Sequence, residues 1–176
     1  WKLYGLEVIG LRYFNVFGPR QDPRSAYAAV IPRWISAMIR NAPAVLHGDG
    51  STSRDFCFVA NVVQANLLAA TTTNSKAVGQ VFNVALGDRT TLRELFELIR
   101  CALLPTHSHL RRYAPRHEPF RAGDVRHSQA DISRIKAQLD YAPTHTVEQG
   151  MVETLAWHAR KASSGSAASP ELMERP

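Results

Sequence analysis

This chain of 176 residues has little cysteine, no long apolar run and no glycine-rich phosphate loop. Its two cysteines, Cys57 and Cys101, stand far apart, and Cys57 falls inside an apolar strand-like run. That placement speaks against a disulfide or a metal pair and for reduced, buried thiols of the kind a cytoplasmic protein keeps. The longest apolar stretch, 60–70, is broken by Asn61, Gln64 and Asn66, which excludes a membrane-spanning helix. The first residues, Trp1-Lys2-Leu3-Tyr4, lack the basic leader and apolar core of a secretory signal and read as the end of a helix cut in mid-element. The seven histidines show neither a paired helical spacing around a glutamate nor a cysteine partner, so no metal site is expected. No serine sits in a nucleophile elbow, and no catalytic residue is assigned.

What the chain has is a net charge of +6 and a hydrophobic content of 45%. The composition fits a globular domain with a real core, and the charge favours an anionic partner. Positive residues crowd between His107 and His127, but Pro, Glu118 and Asp124 interrupt them. That is poor material for the continuous stripe of a nucleic-acid binder.

Strands and helices alternate loosely along the chain, joined by long loops. Val8–Phe14 reads as a buried strand, Val30–Arg40 as a helix with Pro32 in its first turn, and Val45–Leu46 and Arg54–Val59 as strands. A helix capped by Asn61 follows, with Val62, Val63, Leu67 and Leu68 on one face; Gln80–Ala85 is a strand. The next helix, Leu92–Leu103, begins with a capping box of Thr91 and Glu94. Pro105–Arg121 reads as irregular, Asp131–Leu139 and Thr146–Arg160 as helices, and 162–176 as a disordered tail. The fold class is α/β: one unit over 1–161, containing the carboxyl-terminal part of a Rossmann-type sheet and a small α/β cap. A strand this close to the start, with no phosphate loop before it, implies that the amino-terminal dinucleotide-binding half is absent.

Three stretches carry candidate chemistry. In Gly10–Arg20 a strand ends at Asn15 before a Gly-Pro break. Ligands of open α/β sheets bind beyond such strand ends, although an asparagine there also suits a turn that bonds its own backbone. In Gly48–Phe56 a glycine-rich turn leads into Arg54, whose planar fork suits two phosphate oxygens; the alternative is a turn in which Arg54 pairs with Asp55 or Asp49. In Arg121–Ser128 a cation, a flexible Gly and Asp124 are presented together, either to a phosphorylated ligand or to each other.

Together, RYFNVFGPRQDP, YAAVIPRW, GDGSTSRDF, FNVALG, RAGDVRHS and the closing YAP resemble the carboxyl half of the NAD-dependent epimerase/dehydratase family, the extended short-chain dehydrogenases acting on nucleotide sugars. The spellings YAAVIP and SRDFC are most similar to the bacterial UDP-N-acetylglucosamine 4-epimerase branch. The resemblance implies that Tyr13 and Phe14 lie beside NAD and that Asn15 contacts the UDP pyrophosphate. Ala29 and Val30 would meet uracil through main-chain groups, with Trp34 nearby. Arg54 and Arg121 would clamp the diphosphate, and Asp124 would accept from the ribose. Ser128 would leave room for an N-acetyl group where relatives limited to other sugars carry a bulky Tyr. The implied activity is interconversion of UDP-GlcNAc and UDP-GalNAc through a transient 4-keto sugar, for surface polysaccharide synthesis. UDP-glucuronate or UDP-glucose epimerisation, a dehydratase, and a non-catalytic nucleotide-sugar module are the alternatives. The family's Tyr-x-x-x-Lys pair is not found: Tyr4, for example, is followed at its fourth position by Val8. The chain alone is therefore expected to be inactive. The implied partner is a UDP-sugar, with no nucleic acid or membrane, and the complete enzyme is expected to be a homodimer.

Overall fold

The computed structural model describes residues 2–22 and 29–165, with side chains to Arg160. Eight short strands and five α-helices fall in the described part. The strands are β1 Gly10–Tyr13, β2 Val16–Phe17, β3 Val45–His47, β4 Ser53–Arg54, β5 Cys57–Phe58, β6 Val81–Val84, β7 Thr90–Thr91 and β8 Arg116–Glu118. The helices are α1 Val30–Ile39, α2 Val59–Thr71, α3 Leu92–Leu103, α4 Ser133–Leu139 and α5 Val147–Gly165. The pairings β1–β6, β2–β5 and β3–β8 are parallel, and β4–β7 is antiparallel. The described strands thus fall in four two-stranded sheets, and the dominance of parallel pairs with helices between them marks an α/β fold.

Two apolar cores divide the molecule. The first gathers α1, α3 and α5 around Trp34, Phe96, Leu110 and Met151. Trp34 meets Phe96 edge-on at 5.6 Å, and Phe96 stacks on Tyr113 at 6.0 Å, geometries that aromatic quadrupoles favour. The second lies under β1 and β6, where Phe82, Val84, Ile135 and Tyr141 meet α2 and α4. The hydroxyl of Tyr141 donates to the Ala85 carbonyl at 2.9 Å, so the buried phenol keeps a partner.

Helix α3 has the expected bounds and the expected cap: the Thr91 hydroxyl accepts from the Glu94 amide, and the Glu94 carboxylate accepts from the Thr91 amide. Other expectations need correction. β1 is shorter than Val8–Phe14 and is not buried: Val8 is 46% and Tyr13 49% exposed, because among the described residues only β6 flanks it. The segment expected as one strand over 54–59 is two, interrupted at Asp55-Phe56, where the Asp55 side chain turns inward.

Asn61 does not cap α2, which starts at Val59. Its fully buried amide instead donates to the His145 carbonyl and accepts from the Thr144 and His145 amides. Drawing Asn61 inward rotates the helix, so Val62 and Ala65 are buried while Val63 and Leu67 are exposed. The irregular 105–121 region contains β8, which escaped notice because it is all charge: its backbone pairs with β3 while its side chains stay at the surface. Helix α5 continues past Arg160 to Gly165, and the rest of the expected tail, 166–176, lies outside the described residues. Cys57 is buried, with burial pushing its thiol up to about 11, but Cys101 is exposed rather than buried. No helix is long and apolar enough to cross a membrane, and no cluster of metal-ligating groups occurs among the described residues.

Candidate functional site

The carboxyl end of β1, the start of α1, β3, β4 and the 121–124 segment enclose one cavity of about 510 Å³, a size suited to a nucleotide-scale ligand. Seven of the sequence-predicted residues line it: Asn15, Ala29, Val30, Trp34, Arg54, Arg121 and Asp124. Tyr13, Phe14 and Ser128 do not. Tyr13 is half exposed at the strand edge and donates to Asn66 Oδ1 at 3.0 Å. Phe14 is partly buried against the second core. Ser128 lies beside β4, where its amide donates to the Ser53 carbonyl at 3.1 Å.

One wall is formed by α1 and is continuous with the first core, apolar except for Arg33, Ser36 and Arg40. Helix α1 begins at Val30, with Ala29 in an extended conformation (φ −62°, ψ 158°) and no side chain capping it. The first-turn amides of a helix have no intrahelical acceptor, and here Ala29, Val30 and Ile31 present that turn to the cavity. Pro32 removes one donor that no helical bond would have used. Trp34 is 3% exposed and its indole N–H donates to the Val45 carbonyl at 2.9 Å. It is a structural wall, with its one polar atom already engaged.

The opposite wall is polar and is assembled from distant segments. Asn15 adopts a left-handed conformation (φ 30°), where asparagine is among the better-tolerated residues. Its amide donates across to the Asp55 carbonyl at 3.1 Å rather than to its own turn. Arg54 pairs with neither Asp49 nor Asp55. Its guanidinium donates to the Ser53 carbonyl at 2.8 Å and to Asp124 Oδ1 at 2.5 Å. Asp124 consequently does not neutralise Arg121, which makes no ion pair among the described residues. Ser53 draws the 121–128 loop alongside β4: its amide donates to the Arg126 carbonyl at 2.9 Å and its hydroxyl meets His127 Nδ1 at 2.9 Å.

The same loop is pinned at its base. Gly48 has φ +73°, and a Cβ there would fall 2.0 Å from the Phe120 ring. Only glycine permits that approach. Arg126 covers the other part of Phe120 with its guanidinium 3.8 Å from the ring centroid. Arg121, the next residue after Phe120, is thus set at the cavity mouth.

Among the charged or titratable residues of the lining, three escaped the sequence reading: Arg33, Arg40 and His47. Arg33 and Arg40 lie two turns apart on α1, a spacing that was legible, but ordinary solvated helix charges look the same. His47 gave no signal; its Nδ1 lies 3.2 Å from the Pro119 carbonyl and 3.9 Å from Glu118. The lining holds four arginines against the single carboxylate of Asp124, an excess that suits a polyanion.

Beneath this wall lies Asp55, fully buried. Burial raises its carboxyl above the ordinary aspartate value, while the amides of Ala130, Leu86 and Gly87 pull it back down.

Residues 1–85 match the model of the NAD dependent epimerase/dehydratase family. Among solved structures, the chain is similar to UDP-glucose 4-epimerase of Thermotoga maritima with UDP-glucose. That match has 34% identity and a TM-score of 0.81, covering 92% of this chain and 48% of that one. It is also similar to UDP-N-acetylglucosamine 4-epimerase of Methanobrevibacter ruminantium in complex with UDP-N-acetylmuramic acid (40%, TM-score 0.79, 91% and 48%). Among curated proteins it is 30% identical, over 160 residues, to a UDP-N-acetyl-alpha-D-glucosaminuronate decarboxylase of Bacillus cytotoxicus, covering 89% of this chain and 48% of that protein. The chain spans about half the length of these relatives.

Proposed function

We propose that the chain, whose residues 1–85 match the NAD dependent epimerase/dehydratase family, forms the substrate-binding part of a UDP-N-acetylhexosamine 4-epimerase, interconverting UDP-GlcNAc and UDP-GalNAc. The observation that carries this reading is the convergence of Arg54 and Arg121 on one cavity whose far wall is the uncapped start of α1. In this reading the two guanidinium groups take the diphosphate oxygens, as planar forks do. Main-chain groups at Ala29 and Val30 meet the uracil edge, with the Trp34 ring behind them. Asn15 reaches the diphosphate at the sugar end, and Asp124 accepts from a ribose hydroxyl. Asp124 already holds Arg54, so one carboxylate orders both the clamp and the ribose.

NAD is the family's cofactor, and when bound it supplies hydride exchange at the sugar carbon being inverted. In this reading Tyr13, half exposed at the end of β1, and Phe14 beside it would border that cofactor. The groups that cradle a dinucleotide pyrophosphate are not in this chain, whose glycines nowhere form G-x-G-x-x-G. The chain accordingly binds the nucleotide sugar and does not turn it over alone. Support for the acetylated sugar comes from the 40% identity to the UDP-N-acetylglucosamine 4-epimerase, and in this reading the small Ser128, which lies beside the cavity lining rather than in it, leaves room for the acetyl group.

Calorimetric titration tests the reading. UDP and UDP-GlcNAc are expected to bind saturably and more weakly as salt rises. Absence of UDP binding, or affinity no greater than for inorganic phosphate, would refute it.

A further inference from the structure

Asp55 is the only fully buried carboxylate among the described residues. Taking an ionised carboxylate out of water is costly without a counter-charge, and its partners here are main-chain amides: Leu86 at 3.0 Å, Gly87 at 3.1 Å and Ala130 at 3.2 Å. A position meant only to be filled would take an apolar residue at less cost.

The partners say what the carboxylate connects. Leu86-Gly87 is the turn after β6, and Ala130 ends the loop that carries Arg121, Asp124 and Ser128. The main-chain carbonyl of Asp55 accepts the Asn15 amide, and the residue before it is Arg54. One side chain and its own backbone thereby join every segment of the polar wall. None of these bonds reaches α1, which is held by the other core.

The geometry points to Asp55 as a positioning residue that locks Asn15, Arg54 and the 121–130 loop into one arrangement before any ligand arrives. The claim about the lock stands on these bonds; what the locked groups bind rests on the nucleotide-sugar reading. Preorganisation of this kind is worth affinity because the ordering is already complete. The consequence is selective: diphosphate binding depends on Asp55, and base binding does not.

Two measurements on this chain test it. Native-state hydrogen exchange of the unmodified protein should show the Leu86, Gly87 and Ala130 amides opening as one unit, and Asp55→Asn should speed their exchange about tenfold or more while Leu95, Phe96 and Ile99 stay within about twofold. The Asn side chain sets an N–H against at least one of those donors, so the bond set cannot be kept whole. Independent opening in the unmodified chain, which needs no variant to fold, would overturn the lock, as would unchanged protection in D55N. In the second arm, D55N should weaken UDP about tenfold and uracil, which lacks the ribose assigned to Asp124, no more than about twofold. Equal losses for both would mean a general support of the fold and would also overturn it. If the unmodified chain fails to bind UDP, the nucleotide-sugar reading falls, and the exchange arm still decides the lock.

Discussion

The two walls of the cavity are built by opposite means. The α1 wall is a by-product of core packing: Ile31, Trp34, Ile35 and Met38 are buried in the first core, and the exposed first turn follows. The polar wall is packed at its base, where Phe56 joins the first core and Phe120 lies against Gly48, but its functional groups are placed by hydrogen bonds. It stands on bonds between residues some seventy positions apart, such as Arg54 to Asp124, Ser53 to His127 and Asp55 to Ala130. Apolar burial is non-directional and scales with area, so the α1 wall loses most when a large side chain is removed and little when volume is kept. Charge-assisted bonds are directional and individually strong, so they make a wall that is specific and brittle.

The largest expected effect strikes the apolar side. Trp34→Ala removes a side chain that is 3% exposed and seated edge-on against Phe96. It should cost about 3–5 kcal/mol of stability, read by denaturant unfolding. A loss below about 1 kcal/mol would mean that the wall is not part of the core.

Arg54→Ala should break the comparison from the other side. It removes a partly buried guanidinium and leaves Asp124 unpaired, so UDP should bind about ten- to a hundredfold more weakly with uracil little changed. If uracil suffered equally in a titration, the division into two walls would be wrong.

Ser128→Tyr sharpens the sugar end. In the complete enzyme it should shift the ratio of kcat/KM for UDP-GlcNAc over UDP-glucose downward by about tenfold. A parallel fall for both sugars would remove Ser128 as the selecting residue.

The smallest effect lies outside the cavity. Thr91→Ala should cost about 1 kcal/mol through loss of the α3 cap. The Glu94 carboxyl is held below its ordinary 4.5 by the Thr91 amide and hydroxyl. Its contribution is therefore present above the unfolded value and lost as pH falls through the lowered one. Thermal melting on acidification below about pH 4.5 should narrow the gap between the variant and the unmodified chain, and a gap that is independent of pH would contradict the capping box.

Helix α3 could be read from the chain because its period and both partners of its cap are local. Helix α1 was legible from its period alone, down to Pro32 in the first turn. Asn61 misled: an asparagine at a helix start is a good cap by local rules, and only the 144–145 loop, remote in sequence, claims its amide. β8 misled in the other direction, since Arg116-His117-Glu118 has no strand propensity and is a strand only because β3 offers its edge. The correct partner of Arg54 was out of reach too, because both nearby acids, Asp49 and Asp55, were plausible and neither takes it.

By itself, then, the sequence determined the resemblance to a family, the helices with local periods and caps, and seven of the residues that line the cavity. Those depend on spacings of a few residues, which chain connectivity already imposes. Only the tertiary structure decided that Arg54 answers to Asp124, that Arg33, Arg40 and His47 join the lining, and that Asp55 lies buried beneath them all. Such contacts are directional and long-range, and they exist only after the two cores have packed and brought remote segments within hydrogen-bonding distance.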